Sequence, residues 1–364
     1  MTAPTCRLAG ALRMAGPILL LGLLAAAGCA SIGPDTIARD RFDYNTAVAD
    51  SWKRQLLLNI VKIRYGDAPI FLDVVSITNQ YSFESELAGT LGWSFPPGAN
   101  WQEVGGTGRY YDRPTITYTP LSGEKFARNL MTPVPPDTVM ALVEGGYPIE
   151  QVFRLMVHSV NGIRNQFGGA ARMRRADPEF RPLLANLREV QASGAVTMRV
   201  KKIGPQAALV MVFSKASSPE LTKRMREIRH ALNLREGDGE FRVVYGSAAA
   251  SDSEIALMTR SVFEVLSDIS STVEVPADHV ADRRVAPAMP VEWKDFDRPL
   301  IRIGAATERP ADAFVAVPYR DAWFWIDDRD FASKGVFSFM LFIMALTESG
   351  GKDSAPVLTI SAGG

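Results

Sequence analysis

The chain of 364 residues is 47% hydrophobic and 22% charged, and its 40 Lys and Arg balance 40 Asp and Glu. That profile excludes a disordered tail, a collagen-like fibre and a polytopic membrane protein. With no basic surplus to neutralise phosphates, no nucleic-acid partner is expected.

The amino terminus reads as an address. Arg7 and Arg13 flank the start of an apolar run from Met14 to Ala27, no acid occurs before Asp35, and the run ends in small residues at Gly28. This is signal-peptide grammar over residues 1–28. At about 14 residues the run falls short of the ~20 that cross a bilayer as a helix. Leu24-Ala25-Ala26-Ala27-Gly28-Cys29 resembles the lipobox of bacterial lipoproteins, with Ala26 where Leu is usual. The resemblance implies cleavage before Cys29 and a palmitate-type lipid anchor on that cysteine. Because Ala30 follows rather than Asp, it also implies the periplasmic face of the outer membrane. An ordinary secretory signal cut near Ala27 and a single-span anchor are the other readings of these residues. Of the two cysteines, Cys6 leaves with the signal and Cys29 takes the lipid, so no disulfide is expected.

Residues 29–42, with Gly33 and Pro34, are expected to be a polar tether. A helix is expected from about Asp43, where Val48, Trp52, Leu56, Ile60 and Ile63 share one stripe, ending at Gly66 and Pro69. From Val75 the period becomes two: Ile77, Tyr81, Phe83, Leu87, Leu91, Trp93 and Phe95 alternate with polar residues. Turn chemistry at Pro96-Pro97-Gly98 and a returning segment from Trp101 to Thr119 predict one long antiparallel hairpin with its tip near Pro97. Helices are then expected from Ser122, from Asp137, and from Pro148 to about Arg164. Segment 165–177, with Gly168, Gly169, Arg172, Arg174 and Arg175, is the expected linker between a region over 43–165 and a domain over 177–364.

In that second domain the pattern predicts helices over 177–194, from Pro219, over 253–269 and over 331–346. It predicts strands over 195–202, 207–214, 241–245, 300–303, 314–317, 323–326 and 356–360, with a Pro-rich connection at 275–297. The fold class is α+β: an N-terminal helix, a long hairpin and helices, then a mixed α/β C-terminal domain.

Little in the sequence carries chemistry. His158, His230 and His279 have no metal-ligand spacing, so no metal, cofactor or catalytic set is expected. His158 is expected on a polar helix face and His230 on a solvated one. Gly105-Gly106-Thr107-Gly108 does not lead a strand into a helix, so it makes no phosphate cradle. Asp327, Asp328 and Asp330 are the acidic cluster that would serve a periplasmic enzyme or ligand binder. The bland alternative has Asp330 capping the next helix and Trp323 and Trp325 in the core. At the hairpin tip, Trp93, Phe95 and Trp101 are candidate contacts for a protein partner or a second copy. The arms are long enough to cross an outer membrane in a ring of subunits, although Glu103 and Arg109 share the parity of Trp101 and favour a soluble hairpin.

Two stretches, Ile32 to Tyr81 (containing ADSWKRQLLLNIVKIRYGDAPIFLDV) and Tyr319 to Leu346 (containing WFWIDDRDFASKGVFSFM), resemble predicted lipoproteins of proteobacteria with no assigned activity. The resemblance implies an address and no catalytic residues. The expected function is a non-enzymatic, outer-membrane-anchored scaffold or assembly partner. The alternatives are a ligand binder or enzyme using the acidic cluster, and a subunit of a hairpin pore.

Overall fold

The computed structural model describes residues 32–78, 81–92, 101–112, 115–168, 173–203, 206–214, 217–237, 239–287 and 299–348. Cys29, Trp93, Phe95, Arg172 and the strand expected at 356–360 lie outside them. The chain divides into two compact units, Met1–Ser51 and Trp52–Gly364.

Helix α1 runs Ile32–Arg64. Residues 32–42 are therefore helical and not a tether. Pro34 falls in the first turn, where its missing N–H is not needed. The helix ends where expected. Gly66 takes a positive φ, its N–H reaches the Ile63 carbonyl at 3.0 Å, and the Asp67 N–H reaches that of Lys62 at 2.9 Å. This is the Schellman arrangement, which needs a left-handed residue that glycine supplies without strain. Of the predicted stripe Leu56, Ile60 and Ile63 are buried, with Leu57 and Val61 beside them, while Trp52 is 43% exposed.

The hairpin consists of β1 (Leu72–Thr78), β2 (Tyr81–Gly92), β3 (Trp101–Asp112) and β4 (Thr115–Pro120). All pairing is antiparallel, β1 with β4 and β2 with β3. Thr78 opposite Thr115 and Tyr81 opposite Asp112 keep the same offset, so both ladders belong to one register. At the far end Gly92 faces Trp101, and the tip expected near Pro97 lies outside the described residues. The one irregularity lies between Val74 and Ser76, where Val75 is bulged out and 61% exposed.

Beyond it come α2 (Gly123–Phe126), a π-helical turn (Ala127–Met131), α3 (Pro136–Glu144) and α4 (Ile149–Met156). The helix expected to reach Arg164 stops at Met156. Val157–Val160 is strand β5, because β-branched Val157 and Val160 are buried in a sheet. Short strand β6 (Ile163–Arg164) follows, and β7 (Phe167–Gly168) and β8 (Met173–Arg174) occupy the expected linker. Then follow α5 (Phe180–Ala192), β9 (Val196–Ile203), β10 (Gln206–Phe213), α6 (Pro219–Ala231), β11 (Gly239–Tyr245), β12 (Glu254–Thr259) and α7 (Val262–Ser270).

One six-stranded sheet gathers these in the order β6-β5-β12-β11-β10-β9, with only β11 and β12 parallel. Strand β12 replaces the first half of the helix expected at 253–269. Ile255, Ala256 and Leu257 are buried in succession, a run that period alone cannot assign to strand or helix. The true helix start is the capping box of Ser261 and Glu264. Since β5 pairs with β12, the sheet spans the break expected at 165–177, and the described residues from Trp52 onward share one core.

A second sheet has the order β13-β15-β14, from β13 (Gly304–Ala306), β14 (Ala313–Tyr319) and β15 (Ala322–Asp327). The strand expected at 300–303 is displaced to β13. Helix α8 (Ala277–Ala281) precedes this sheet, and α9 (Phe331–Glu348) follows it with Phe337 edge-on to Phe314.

Candidate functional site

The acidic cluster sits at the junction of β15 and α9, and the structure gives each carboxylate a separate task. Asp327 accepts the Arg329 N–H at 2.9 Å, and Asp328 pairs with the Lys334 ammonium at 2.7 Å. Asp330 accepts the Ser333 N–H at 3.1 Å and its hydroxyl at 2.8 Å, which caps α9. Burial works against the Asp330 charge, yet the Ser333 donors and the nearby Arg302 hold its carboxyl below the usual range. The three carboxylates thus do not converge on a common point. Trp323 and Trp325 are half-buried, while Phe324 and Ile326 between them fill the core.

Asp330 also borders a cleft of about 450 Å³ between the start of α9 and α4. Its charged lining is Glu150, Arg154, Arg188, Arg302 and Asp330. Glu150 is shared by Arg188 at 3.1 Å and Arg154 at 3.9 Å, and Arg302 lies 3.4 Å from Asp330. The acids are therefore already neutralised within the wall. That leaves them poor candidates for acid or base chemistry on a bound ligand.

His279, from α8, is 1% exposed and lies between two partners that no spacing in the chain suggests. Its Nδ1 is 2.6 Å from the Tyr65 hydroxyl and its Nε2 is 2.6 Å from an Asp321 oxygen. Tyr65 donating to Nδ1 and Nε2–H donating to Asp321 satisfies all three. With Asp278, His279 and Asp321 form the grouping of His and acidic ligand atoms, all within 4.8 Å, found among the described residues. Asp321 is held below the ordinary carboxylate range by its own N–H, then by His279 and Arg284. Burial raises the Tyr65 hydroxyl, against the pull of Arg320 and Arg64. The ring of Tyr65 is closed in by Tyr319 and Phe324 edge-on and by the Arg320 guanidinium 4.9 Å from its centroid. Both imidazole nitrogens are engaged and the hydroxyl points inward, so the chain Tyr65–His279–Asp321 ties α1 and α8 to the β14–β15 turn. No local pattern signals it, because Tyr65 and His279 are 214 positions apart.

A second buried polar centre pins the expected linker. Arg260 is 0% exposed and donates to Asp268 at 3.0 Å, to the Arg154 and Leu155 carbonyls at 3.3 Å, and to the Gln166 carbonyl. Asp268 in turn accepts the Gly168 N–H at 2.5 Å. Gly168 is required there, since a Cβ would run into the Ser271 hydroxyl. Nearby His158 lies on β5 rather than on a polar helix face, and its Nε2 is 3.3 Å from Arg174. Arg174 also holds the Asn165 carbonyl at 2.9 Å, so it belongs to a folded contact rather than a solvated loop.

Of the hairpin-tip candidates, only Trp101 lies within the described residues, opposite Gly92 at the first pair of β3. Among those residues, the β2–β3 ladder pairs with no further strand. Its root is open too: every residue of β4 is exposed, and Ile70, Leu72, Ile116 and Tyr118 present apolar surface to solvent. Among the described residues, no helix is long and apolar enough to cross a membrane. Comparison with protein-family models, with curated proteins and with solved structures finds no match to this chain.

Proposed function

We propose that the chain is a lipid-anchored lipoprotein of the outer membrane, on its periplasmic face, and that it works as an assembly element rather than as an enzyme. Cys29 carries the lipid in this reading, and the hairpin carries the interaction. The observation that supports it most is the two-stranded ribbon β1–β4 with β2–β3. Two strands alone are marginally stable in water, and unpaired edges with exposed apolar residues are the features by which sheets recruit partners. The acidic residues support the ligand-binding alternative less, because Asp327, Asp328 and Asp330 are occupied locally.

The test replaces residues 82–111 by a short turn in the full chain and compares the membrane-extracted complexes by native mass. The expected result is a folded protein that has lost its assembly. An unchanged complex would overturn the reading. Mass analysis of the same extracts checks the anchor: Cys29 should carry acyl chains, and Cys29→Ala should lack them.

A further inference from the structure

We infer that copies of this chain join hairpin edge to hairpin edge and close β2 and β3 into a single barrel that crosses a bilayer. The inference rests on the reading of the hairpin as an assembly element and names its partner, further copies of the same chain.

The register sorts the arms into two unlike faces. Tyr81, Phe83, Ser85, Leu87, Gly89 and Leu91 of β2 stand opposite Asp112, Tyr110, Gly108, Gly106, Val104 and Gln102 of β3. On the other face, Glu84 stands opposite Arg109, Glu86 opposite Thr107, and Thr90 opposite Glu103. Thr107 and Arg109 are exposed. All four charges in the body of the ladder thus fall on one face. On the other face the only charge, Asp112, sits at the root. Glu103 and Arg109 do share a face with Trp101, but the apolar face is the opposite one, so their charges do not stand against a membrane crossing.

Length agrees with such a crossing. Each arm has 12 residues. At ~3.3 Å per residue that is about 40 Å of strand, and a barrel tilt of about 40° brings it to about 30 Å, enough for an apolar band of about 25 Å. A lone hairpin cannot enter lipid, because each edge would carry unpaired N–H and C=O groups at several kcal/mol apiece. Identical hairpins satisfy those edges mutually, with the charged face lining the interior. Bacterial barrels start at about eight strands, so two strands per chain require at least about four copies.

The experiment uses the full-length protein, extracted in mild detergent and reconstituted into phosphatidylethanolamine and phosphatidylglycerol vesicles. Leu87→Cys and Glu86→Cys, on opposite faces of the same strand, each carry an environment-sensitive dye. The expected result is a discrete oligomer by native mass, with the label at 87 quenched by nitroxide lipids and shielded from aqueous iodide, and the label at 86 behaving the opposite way. Iodide quenching at both positions, or a monomer, would overturn the barrel. A monomer held to a different protein by the hairpin would overturn the barrel and leave the assembly reading standing. An assembly indifferent to replacement of residues 82–111 would remove both.

Discussion

Asn59 grips Ile70 by both of its backbone groups: its Nδ2 donates to the Ile70 carbonyl at 2.8 Å and its Oδ1 accepts the Ile70 N–H at 2.9 Å. One helical turn earlier, Gln55 does the same to Leu72, at 3.2 and 2.8 Å. Residues four apart on a helix share a face, so α1 presents two amides that imitate a neighbouring strand and fix where the hairpin leaves the body. Asn59 is 1% exposed. Asn59→Leu removes both bonds and leaves the Ile70 backbone unpaired against the helix, and should lower the unfolding free energy by about 1–3 kcal/mol. Gln55→Leu, at a half-buried site, should cost less. Urea unfolding of both variants checks the ranking.

Arg260 offers a sharper contrast. Asp268→Ala leaves a fully buried guanidinium without its counter-charge and should destabilise by about 3–5 kcal/mol. Arg260→Met with Asp268→Leu removes both charges and should recover most of that loss. If the double variant is no better than Asp268→Ala in denaturant melts, the unpaired charge is not what destabilises the single variant.

His158 is held below the ordinary histidine value by burial first and then by Arg174 and Arg260, with Glu264 opposing. A base with a depressed folded pKa contributes stability that is complete above its unfolded pKa of about 6.5 and is lost as pH falls through the folded value. Asp67, Asp177 and Glu254 also have lowered values, from hydrogen bonds given by Tyr319, Arg164 and Arg242, but their contribution is lost only below about pH 4. The loss on acidification from neutral to mildly acid pH should therefore shrink in His158→Gln. An NMR titration of His158 should give a midpoint below about 6.5.

Asp330→Ala should cost about 1 kcal/mol through the lost helix cap. Asp328→Ala, at an exposed position, should stay within about 0.5 kcal/mol, and Asp327→Ala, half-buried and bonded only to a local N–H, should cost less than Asp330→Ala. Equal and large losses at all three, read by thermal unfolding, would mean that the carboxylates act together.

The sequence is most legible where a short-range rule has no competitor. The alternation from Ile77 to Leu91 locates the arms of the hairpin, and Gly66 marks the end of α1. Legibility fails where one run of residues fits two structures. Glu254–Thr259 is apolar enough for a buried strand or half a helix, and the decisive signal, Ser261 with Glu264, lies beyond it. Val157 and Val160 continue the pattern of the helix before them, because the partner that makes them a strand is β12, about a hundred residues on. The acidic cluster is visible as composition, but its capping role depends on where α9 starts. Tyr65, His279 and Asp321 cannot be grouped from spacing at all, since only the packing of α8 against α1 and the β14–β15 turn brings them together.

The bulge at Val75 has a consequence for the whole ribbon. Strict alternation would set Leu72 and Val74 on the side of Glu84 and Glu86, because all four numbers are even. With Val75 taken out of the count, Leu72 pairs with Pro120 and Val74 with Tyr118, while Ile77 pairs with Ile116, so these six residues line one side together. The same side continues, by the shared offset, into Tyr81 and Phe83. One inserted residue thus works as a phase shift that carries a single greasy stripe from the root of the ribbon into its arms. Deleting Val75 would therefore remove the bulge and leave Leu72, Val74 and Ile77 on their common side.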